Sequence, residues 1–568
     1  MKALAGRFPV AVAVSTLLFF ATARPASAQR TPSTGGPAPT SGPISVTTWR
    51  YNNLRDGLNT QETILNTSNV NKSQFGKICS ASVDGQVYAE PLLVSNVTIN
   101  GTLYSSVAYV VTQNDSIYAF DANSTGPTCK QLLFANLLPS GEQALDCRFF
   151  GGGDCQSVAP QIGILGTPVI APNTKTIYLV TQSQVADPPT SYFHRIHALD
   201  ITNFQEKFGG PVALAGNYKT KTFTSSNHLQ RPGLLLLAGT TQTVYVGLSL
   251  MDGAKGRPTG WIFGYQAQNL AATPLVFSTA PIGYNSGAGI WQGGAGLAAG
   301  PDSTGTTYIY VATADGSFDA YKGGSDYGDS FVKLTTDLST VTGYFTPFNQ
   351  ACMNANDEDF GSGGVTLLPL GVVPGHSHVG VVTDKEGAVY VVDLDDPGAY
   401  NGNDDCTGTN ANIQTLPGFI HIHTAPAYWN HNIYFAPYGL APGANLYMYG
   451  IGPKCSPGPL CTTPTVVTTQ KYPSGLSPSI SVNGTTAGTA ILWAIGGPGL
   501  VTGGNPAVLH AYDATNLNEL YNSGQCGKID TPGAMVKFTV PTVANGRVYL
   551  GTQTDFDIYG EIATRNCQ

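Results

Sequence analysis

The stretch AYVVTQNDSIYAFD, residues 108–121, decides the fold of this chain. Two strands rich in β-branched and aromatic side chains flank a polar turn, and a short apolar segment, residues 90–94, precedes them. The same three-part pattern returns at residues 167–200. Taking Pro91 and Pro541 as equivalent positions, we count eight copies at intervals of about 64 residues.

The later copies are recognised by the residues that open them. They open at Arg231-Pro232, Gln292, Gly364, Ala425-Pro426, Ser477-Pro478 and Val540-Pro541. A unit of three or four antiparallel strands cannot bury both of its faces alone, so neighbouring copies must stack. Radial stacking also protects the strand edges, and the sequence therefore predicts an all-β, eight-bladed β-propeller of four-stranded antiparallel blades.

Closing such a ring requires a strand from each end of the chain. The last copy stops near Tyr559 without a fourth strand, whereas residues 74–78 precede the first copy without a partner. We expect these two segments to share one blade. A disulfide between Cys79 and Cys567 could then bridge the seam, with Cys526 as the competing partner.

The first 45 residues predict two segments outside the propeller. Residues 1–28 have basic residues, an apolar run and an Ala-Ser-Ala triplet, which is the pattern of a cleaved signal peptide. Residues 29–45 are rich in Pro, Gly, Ser and Thr and predict a flexible tether. We therefore expect a secreted or periplasmic protein whose residues 46–568 form a single propeller domain, with no segment that spans a membrane.

The composition excludes several classes of function. The chain has 568 residues, 68 glycines, 11% charged residues and a formal net charge of −8. This charge content is too low for a coiled coil or a disordered chain, and the acidic balance lacks the basic footprint of a protein that binds nucleic acid. We expect a monomer with a small molecule, a glycan or a protein as its partner.

The ten cysteines predict disulfides, because the chain contains no C-x-x-C motif. Local pairs are plausible for Cys147 with Cys155 and for Cys455 with Cys461. The full connectivity cannot be deduced from the sequence.

Some of the repeats resemble those of the quinoprotein-like propeller superfamily. The resemblance lies in Tyr109-Val110-Val111-Thr112 and Tyr118-Ala119-Phe120-Asp121-Ala122 and extends over nearly all of residues 74–560. It implies the propeller fold and, for dehydrogenases of the family, pyrroloquinoline quinone with Ca²⁺, held between a tryptophan and a disulfide of adjacent cysteines. This chain has no Cys-Cys pair, and Lys130 stands where the family's blade-locking tryptophan is expected. These departures argue against a bound quinone.

The innermost strands line the channel of a propeller, so the residues just before them should meet at one mouth. When the repeat copies are aligned with one another, these positions hold Glu90, Arg231, Trp291 with Gln292, Asp359, His423 and Lys537. Such a ring of acids, bases and an aromatic residue is a candidate binding site. The alternative is that these residues plug the channel and hydrogen-bond one blade to the next.

Gly-punctuated acidic loops are the candidate cation sites, and Ca²⁺ is the cation that they would suit. The first loop carries Asp315, Asp319, Asp326 and Asp329, the second Asp357, Glu358 and Asp359, and the third Asp393, Asp395 and Asp396. Two histidine pairs with i, i+2 spacing, His421 with His423 and His376 with His378, could also bind a metal. Solvated turn carboxylates and carbonyl-bonded histidines are the competing interpretations.

Three functions follow from these residues. The first is binding of a small ligand, glycan or protein at the channel mouth, without a catalytic constellation. The second is a quinoprotein-like alcohol or sugar dehydrogenase, in which Trp291 stacks on the quinone, Asp359 acts as base or Ca²⁺ ligand, and Arg231 or Lys537 polarises a quinone oxygen. The third is a glycan-acting enzyme with Glu90 and Asp359 as paired carboxylates, which requires a separation of about 5 to 9.5 Å.

Overall fold

The computed structural model describes residues 42–149, 158–186, 190–239, 241–250, 258–283, 287–403, 405–439, 443–497 and 505–563. All of them belong to one unit, Gly35–Gln568. The predicted signal peptide, most of the predicted tether, and Cys155 and Cys567 lie outside the described residues. Within the described part, eight sheets form an eight-bladed β-propeller, as predicted, with one short α-helix at Gln350–Asn356.

Each blade is an antiparallel sheet of four strands, which follow one another from the channel outward. In that order, the strands of blades 1 to 4 are Leu92–Ile99, Thr102–Val111, Ser116–Asp121 and Gln131–Asn136; Val169–Ala171, Thr176–Val185, Ser191–Asp200 and Val212–Ala213; Leu235–Leu237, Thr243–Leu250, Trp261–Gln266 and Leu275–Ser278; and Ala298–Pro301, Thr307–Ala312, Phe331–Thr335 and Val341–Phe345.

Blades 5 to 8 follow the same order, except that the last strand of blade 8 comes from the start of the chain. Their strands are Val365–Leu367, Val379–Thr383, Val389–Asp393 and Gln414–Leu416; Ala427–Trp429, Asn432–Phe435, Ala444–Gly450 and Val466–Tyr472; Ser479–Ser481, Ile491–Gly496, Val508–Asp513 and Glu519–Asn522; and Thr542–Ala544, Arg547–Gly551, Asp555–Glu561 and Phe75–Ser82.

Short additional elements decorate the blades. The strands Glu142–Asp146 and Gln161–Ile162 extend blade 2, His228–Leu229 extends blade 3, Leu58–Asn59 extends blade 7, and Asn217–Tyr218 pairs with Lys221–Thr222. The described 3₁₀ turns are Cys147–Phe149, Pro172–Thr174, Gln292–Gly294, Ala320–Lys322, Phe360–Ser362 and Gly527–Ile529.

The hydrophobic cores lie between blades rather than within them. Eight apolar clusters each combine side chains from two neighbouring blades and together run once around the ring. The cluster between blades 8 and 1, for example, joins Phe556 and Tyr549 to Phe120. Because each sheet is apolar on both faces, every blade needs both of its neighbours, which is why the copies close into a ring.

The two ends of the chain close the ring as predicted. Phe75–Ser82 runs antiparallel to Asp555–Glu561, with Phe75 opposite Glu561 and Cys79 opposite Ile558. The predicted partner of Cys79 is wrong, however, since its disulfide links it to Cys129. Ser80 bridges to Thr128, which brings the two sulfur atoms together and ties the closing strand to blade 1.

Two further disulfides are described. The predicted Cys455–Cys461 bond is confirmed, and Cys352–Cys406 joins residues 54 apart in sequence, a pairing that no local pattern indicated. Cys147 is disulfide-bonded, but its predicted partner lies outside the described residues.

A buried tyrosine links each of five blades to the next one. It lies on the second strand, and its hydroxyl group donates to a carbonyl that follows the third strand of the neighbouring blade. The pairs are Tyr109 with Ile201, Tyr178 with Ala267, Tyr245 with Thr336, Tyr434 with Ala514 and Tyr549 with Ala122. These tyrosines connect neighbouring blades through buried hydrogen bonds.

We expect Tyr109→Phe to lower the free energy of unfolding by about 1 kcal/mol, because the buried carbonyl of Ile201 loses its donor. Tyr310→Phe is a matched control, since Tyr310 occupies the same position in blade 4 and its buried hydroxyl has no partner among the described residues. That variant should be neutral or slightly stabilising. Urea unfolding of the two variants gives the comparison, and equal losses would contradict the tyrosine link.

A segment near the start of the described chain, residues 46–59, lies in the central channel and is bonded to all eight blades in turn. Val46 exchanges two backbone hydrogen bonds with Leu93 of blade 1. The carbonyls of this segment accept from the innermost strands at Ile170, Ala299, Leu367, Tyr428 and Ile480. The side chains of Asn53 and Asn59 donate to Leu236 of blade 3 and Val543 of blade 8. We call residues 46–59 the channel segment.

Two buried arginines fix the channel segment. Arg55 donates to the carbonyls of Leu234 and Leu297, and Arg50 donates to those of Ala425 and Pro478. Both side chains are buried, and burial lowers the pKa of Arg50 to about 10 and that of Arg55 to about 9. The chain itself therefore fills the channel along residues 46–59. A ligand that binds on the propeller axis has to bind beyond this segment, at a mouth of the channel.

Candidate functional site

The residues that precede the innermost strands meet at one mouth of the channel. The Gln292–Gly294 turn is central, because Gly294 lies against the guanidinium of Arg231 and Gly293 lies against the carbonyl of His423. A Cβ atom on either glycine would overlap these groups, and Gly293 and Gly294 have positive φ, at 57° and 92°. The structure thus brings together residues that precede the innermost strands of blades 3, 4 and 6.

Aromatic rings form the centre of the mouth. The ring centroids of Trp291, His423 and Phe538 lie 5.6 to 5.9 Å from one another, and Tyr438 lies 5.4 Å from His423. All four side chains are partly exposed. The repeat positions in the sequence predict Trp291 and His423 but miss Phe538 and Tyr438, which no repeat position marks.

His423 is a neutral group in this mouth. Burial lowers the pKa of His423 to about 3, and the nearby charges of Lys385, His421 and Lys537 act in the same direction. Its Nδ1 atom is buried and has no hydrogen-bond partner in the described part of the chain. At pH 7 this imidazole can therefore accept or donate a hydrogen bond to a ligand, but it supplies no positive charge.

Arg231 is a buried cation without a counter-charge among the described residues. Its side chain is 4% exposed, Nη1 donates to the carbonyl of Leu165 at 3.3 Å, and Nη2 has no partner. The guanidinium lies 5.3 Å from the ring of Tyr88, whose buried hydroxyl also lacks a partner. Burial lowers the pKa of Arg231 to about 10, so the group is still charged at neutral pH.

Acidic residues lie at the side of the mouth formed by blades 4 and 5. The carboxylates of Asp315, Asp357 and Asp359 lie within 4.8 Å of one another. Lys385 Nζ lies 2.6 Å from Asp357 Oδ2 and 3.6 Å from Asp359 Oδ2. Burial, together with the charges of Asp359 and Asp357, raises the pKa of Asp315 to about 7.

The four predicted calcium ligands separate into two pairs. Asp329 is buried behind Asp315, and burial with the charge of Asp315 raises its pKa well above the usual value. Asp319 and Asp326 instead hold their own loop, since the backbone N–H of Asp326 donates to Asp319 Oδ1 at 2.8 Å. The carboxylates within ligand distance of one another are thus Asp315, Asp357 and Asp359, a set drawn from two of the predicted loops.

Two of the remaining predicted site residues, Glu90 and Gln292, are buried beneath the mouth. Glu90 is 3% exposed, and its carboxylate accepts from the backbone N–H of Arg50 and from the Thr542 hydroxyl. Gln292 is buried and accepts from the backbone N–H of Ala312. Their polar atoms hold the channel segment and the blade 4 strands rather than facing the open mouth. Lys537 does reach the mouth, where its Nζ lies 5.5 Å from the Phe538 ring.

Glu90→Gln should stabilise the protein at high pH. Burial raises the pKa of Glu90 to about 8 from 4.5, although Arg50 and Arg55 act against this shift. The folded state therefore holds this proton more tightly than the unfolded state, and stability is lost as pH rises from about 4.5 to 8. We expect the variant to exceed the native protein by up to about 5 kcal/mol at pH 8.5 and to match it at pH 4.

Urea unfolding across this pH range measures the effect. Glu561→Gln, at the exposed end of the third strand of blade 8, is the control and should leave the pH profile unchanged. A Glu90→Gln profile parallel to that of the native protein would show that the Glu90 carboxyl titrates normally.

The described helices include none that is long and apolar enough to cross a membrane. No protein-family model matches the chain, and no curated protein matches it.

Solved structures do match. A quinohemoprotein alcohol dehydrogenase from Pseudomonas putida HK5 is 13% identical, with a TM-score of 0.56 over 93% of this chain and 81% of the other. That from Comamonas testosteroni is 14% identical, with a TM-score of 0.53 over 92% of this chain and 81% of the other. At these identities the likeness concerns the fold alone: the chain shares the propeller fold of these two structures.

Proposed function

We propose that this protein binds a small anionic ligand with a flat apolar part at the channel mouth. The observation that carries the proposal is Arg231, a buried guanidinium with a free Nη2 and no carboxylate within ion-pairing distance among the described residues. Burying a charge without a partner is costly, and an anionic ligand would supply the missing partner. Lys537 adds a second positive charge close to His423, and the partly exposed rings of Trp291, His423 and Phe538, packed edge-on or tilted against one another, offer contact surface to the rest of the ligand.

The proposal is supported by the aromatic rings that meet at this mouth beside a few polar groups, a combination typical of small-molecule sites. The channel segment closes the floor beneath it. The three described disulfides favour an exported protein, in agreement with the predicted signal peptide, and we infer that the mature monomer acts in an oxidising compartment.

Benzoate and its neutral analogue benzamide test the proposal. We expect benzoate to bind at least about tenfold more tightly, because only the anion pairs with Arg231. Quenching of the partly exposed Trp291, compared with a Trp291→Phe variant, reports binding at this mouth.

Arg231→Gln should abolish the preference for benzoate. Arg547→Gln is the matched control, since Arg547 is also partly buried with an unpartnered Nη1 but lies in the hairpin of blade 8. Equal binding of benzoate and benzamide to the native protein would rule out an anion site.

Quinone-dependent alcohol oxidation is the second candidate, favoured by the fold of the matched dehydrogenases. Trp291, Arg231 and Lys537 would suit a planar polycarboxylate such as pyrroloquinoline quinone. The acidic side fits Ca²⁺ poorly, because the Lys385 ammonium already lies among its carboxylates. The described disulfides also join cysteines that are not adjacent. We therefore assign no catalytic step to a quinone.

Reconstitution with pyrroloquinoline quinone and Ca²⁺ separates the two candidates. For a ligand-binding protein we expect no dye reduction with primary alcohols or with glucose. Quinone-dependent dye reduction that is lost in Asp359→Asn would instead establish the dehydrogenase.

A further inference from the structure

Unpartnered polar atoms lie on both sides of the aromatic centre and have opposite character. On the side of blade 3 they are donors, namely Arg231 Nη2 and the Tyr88 hydroxyl. On the side of blades 4 and 5 they are the buried carboxylate oxygens Asp315 Oδ1 and Glu358 Oε2. Buried polar atoms are normally satisfied, so both sets call for a complementary group.

On the side of blades 4 and 5, the carboxylates outnumber the one ammonium group close to them, that of Lys385. Asp315, Asp357 and Asp359 lie together, Glu358 is adjacent in sequence, and Lys385 pairs with Asp357 and Asp359. The Asp315 backbone N–H donates to Asp359 Oδ1. The Asp315 side chain is hydrogen-bonded to Asp329, but its Oδ1 atom has no partner among the described residues. The site can therefore accept a further cationic donor.

The two sides belong to one mouth. The Gln292–Gly294 turn contacts Arg231 through Gly294 and the carbonyl of Ser362 through Gly293. Ser362 closes the short 3₁₀ turn that follows Asp359. His423 lies between the two sides, since Lys537 and Lys385 both act on its charge. A single flat ligand beside Trp291 and His423, whose rings stand at 83° to each other, would thus face donors at one end and acceptors at the other.

We infer that the ligand is zwitterionic, with a carboxylate at Arg231 and Lys537, an ammonium group at Asp315 and Glu358, and a flat apolar part between them. This inference rests on the proposed anion site and specifies its other end. An ammonium is favoured over a hydroxyl because the acidic side has an excess of negative charge. The carboxylates of this side are then ligand contacts rather than a metal site.

Four para-substituted rings test the inference by isothermal titration with the full protein. The zwitterion 4-(aminomethyl)benzoate should bind about fivefold or more tighter than 4-methylbenzoate, because it adds an ion pair in a partly buried site. It should exceed 4-(hydroxymethyl)benzoate by a similar factor. The cation 4-methylbenzylamine, which lacks the carboxylate, should bind most weakly.

Two variants locate the effect. Asp315→Asn should remove the advantage of the zwitterion and leave the affinity for 4-methylbenzoate unchanged. Asp357→Asn, at an exposed position, should reduce the advantage without risk to folding. Asp396→Asn, also exposed but outside the mouth, is the matched control and should change neither affinity.

The outcomes separate the inference from the proposed function. Equal binding of the zwitterion, the hydroxymethyl compound and 4-methylbenzoate would overturn the zwitterion and leave the anion site standing. If none of the carboxylates binds, both proposals fall. An advantage of the zwitterion that survives in Asp315→Asn would place the ammonium elsewhere and also overturn the assignment.

Discussion

The channel segment is the constraint on which the rest of the structure depends. Eight innermost strands point one unpaired edge toward the axis, and unpaired backbone groups in a water-poor channel are costly. Residues 46–59 satisfy these edges one blade after another, and Arg50 and Arg55 satisfy carbonyls that the segment's backbone does not reach. The segment therefore holds the ring together from inside while the interblade cores hold it from outside.

The same segment determines where chemistry can occur. This segment occupies the axis, and the residues that precede the innermost strands of blades 3, 4 and 6 meet at one mouth of the channel. Glu90 is used below this mouth, where it accepts from Arg50 and Thr542, so the pairing of Glu90 with Asp359 in a glycan-acting enzyme loses its first carboxylate. Arg231, by contrast, keeps a free donor next to the mouth. The predicted ring thus divides into buried residues that hold the channel segment and residues that lie at the mouth.

Charge is distributed unevenly around this mouth in a chain that is otherwise poor in charge. Arg231 and Lys537 lie toward blades 3 and 8, and the carboxylates near Asp315 lie toward blades 4 and 5. Aromatic rings separate the two regions, and burial keeps His423 neutral. Because solvent screens partly buried groups weakly, such an arrangement can select a ligand by the order of its charges as well as by its shape.

The sequence by itself determined the blade count, the antiparallel blades and the strand that closes the ring, because repeats of alternating apolar strands carry that information locally. It also predicted a ring at one channel mouth, whose role as a binding site stays a prediction; the predicted residues are Glu90, Arg231, Trp291, Gln292, Asp359, His423 and Lys537. Only the tertiary structure decided that Cys79 bonds to Cys129, that Asp319 and Asp326 stay apart from Asp315, and that residues 46–59 fill the channel. The physical reason is that these features depend on contacts between residues far apart in sequence, and composition, periodicity and spacing describe only neighbours along the chain.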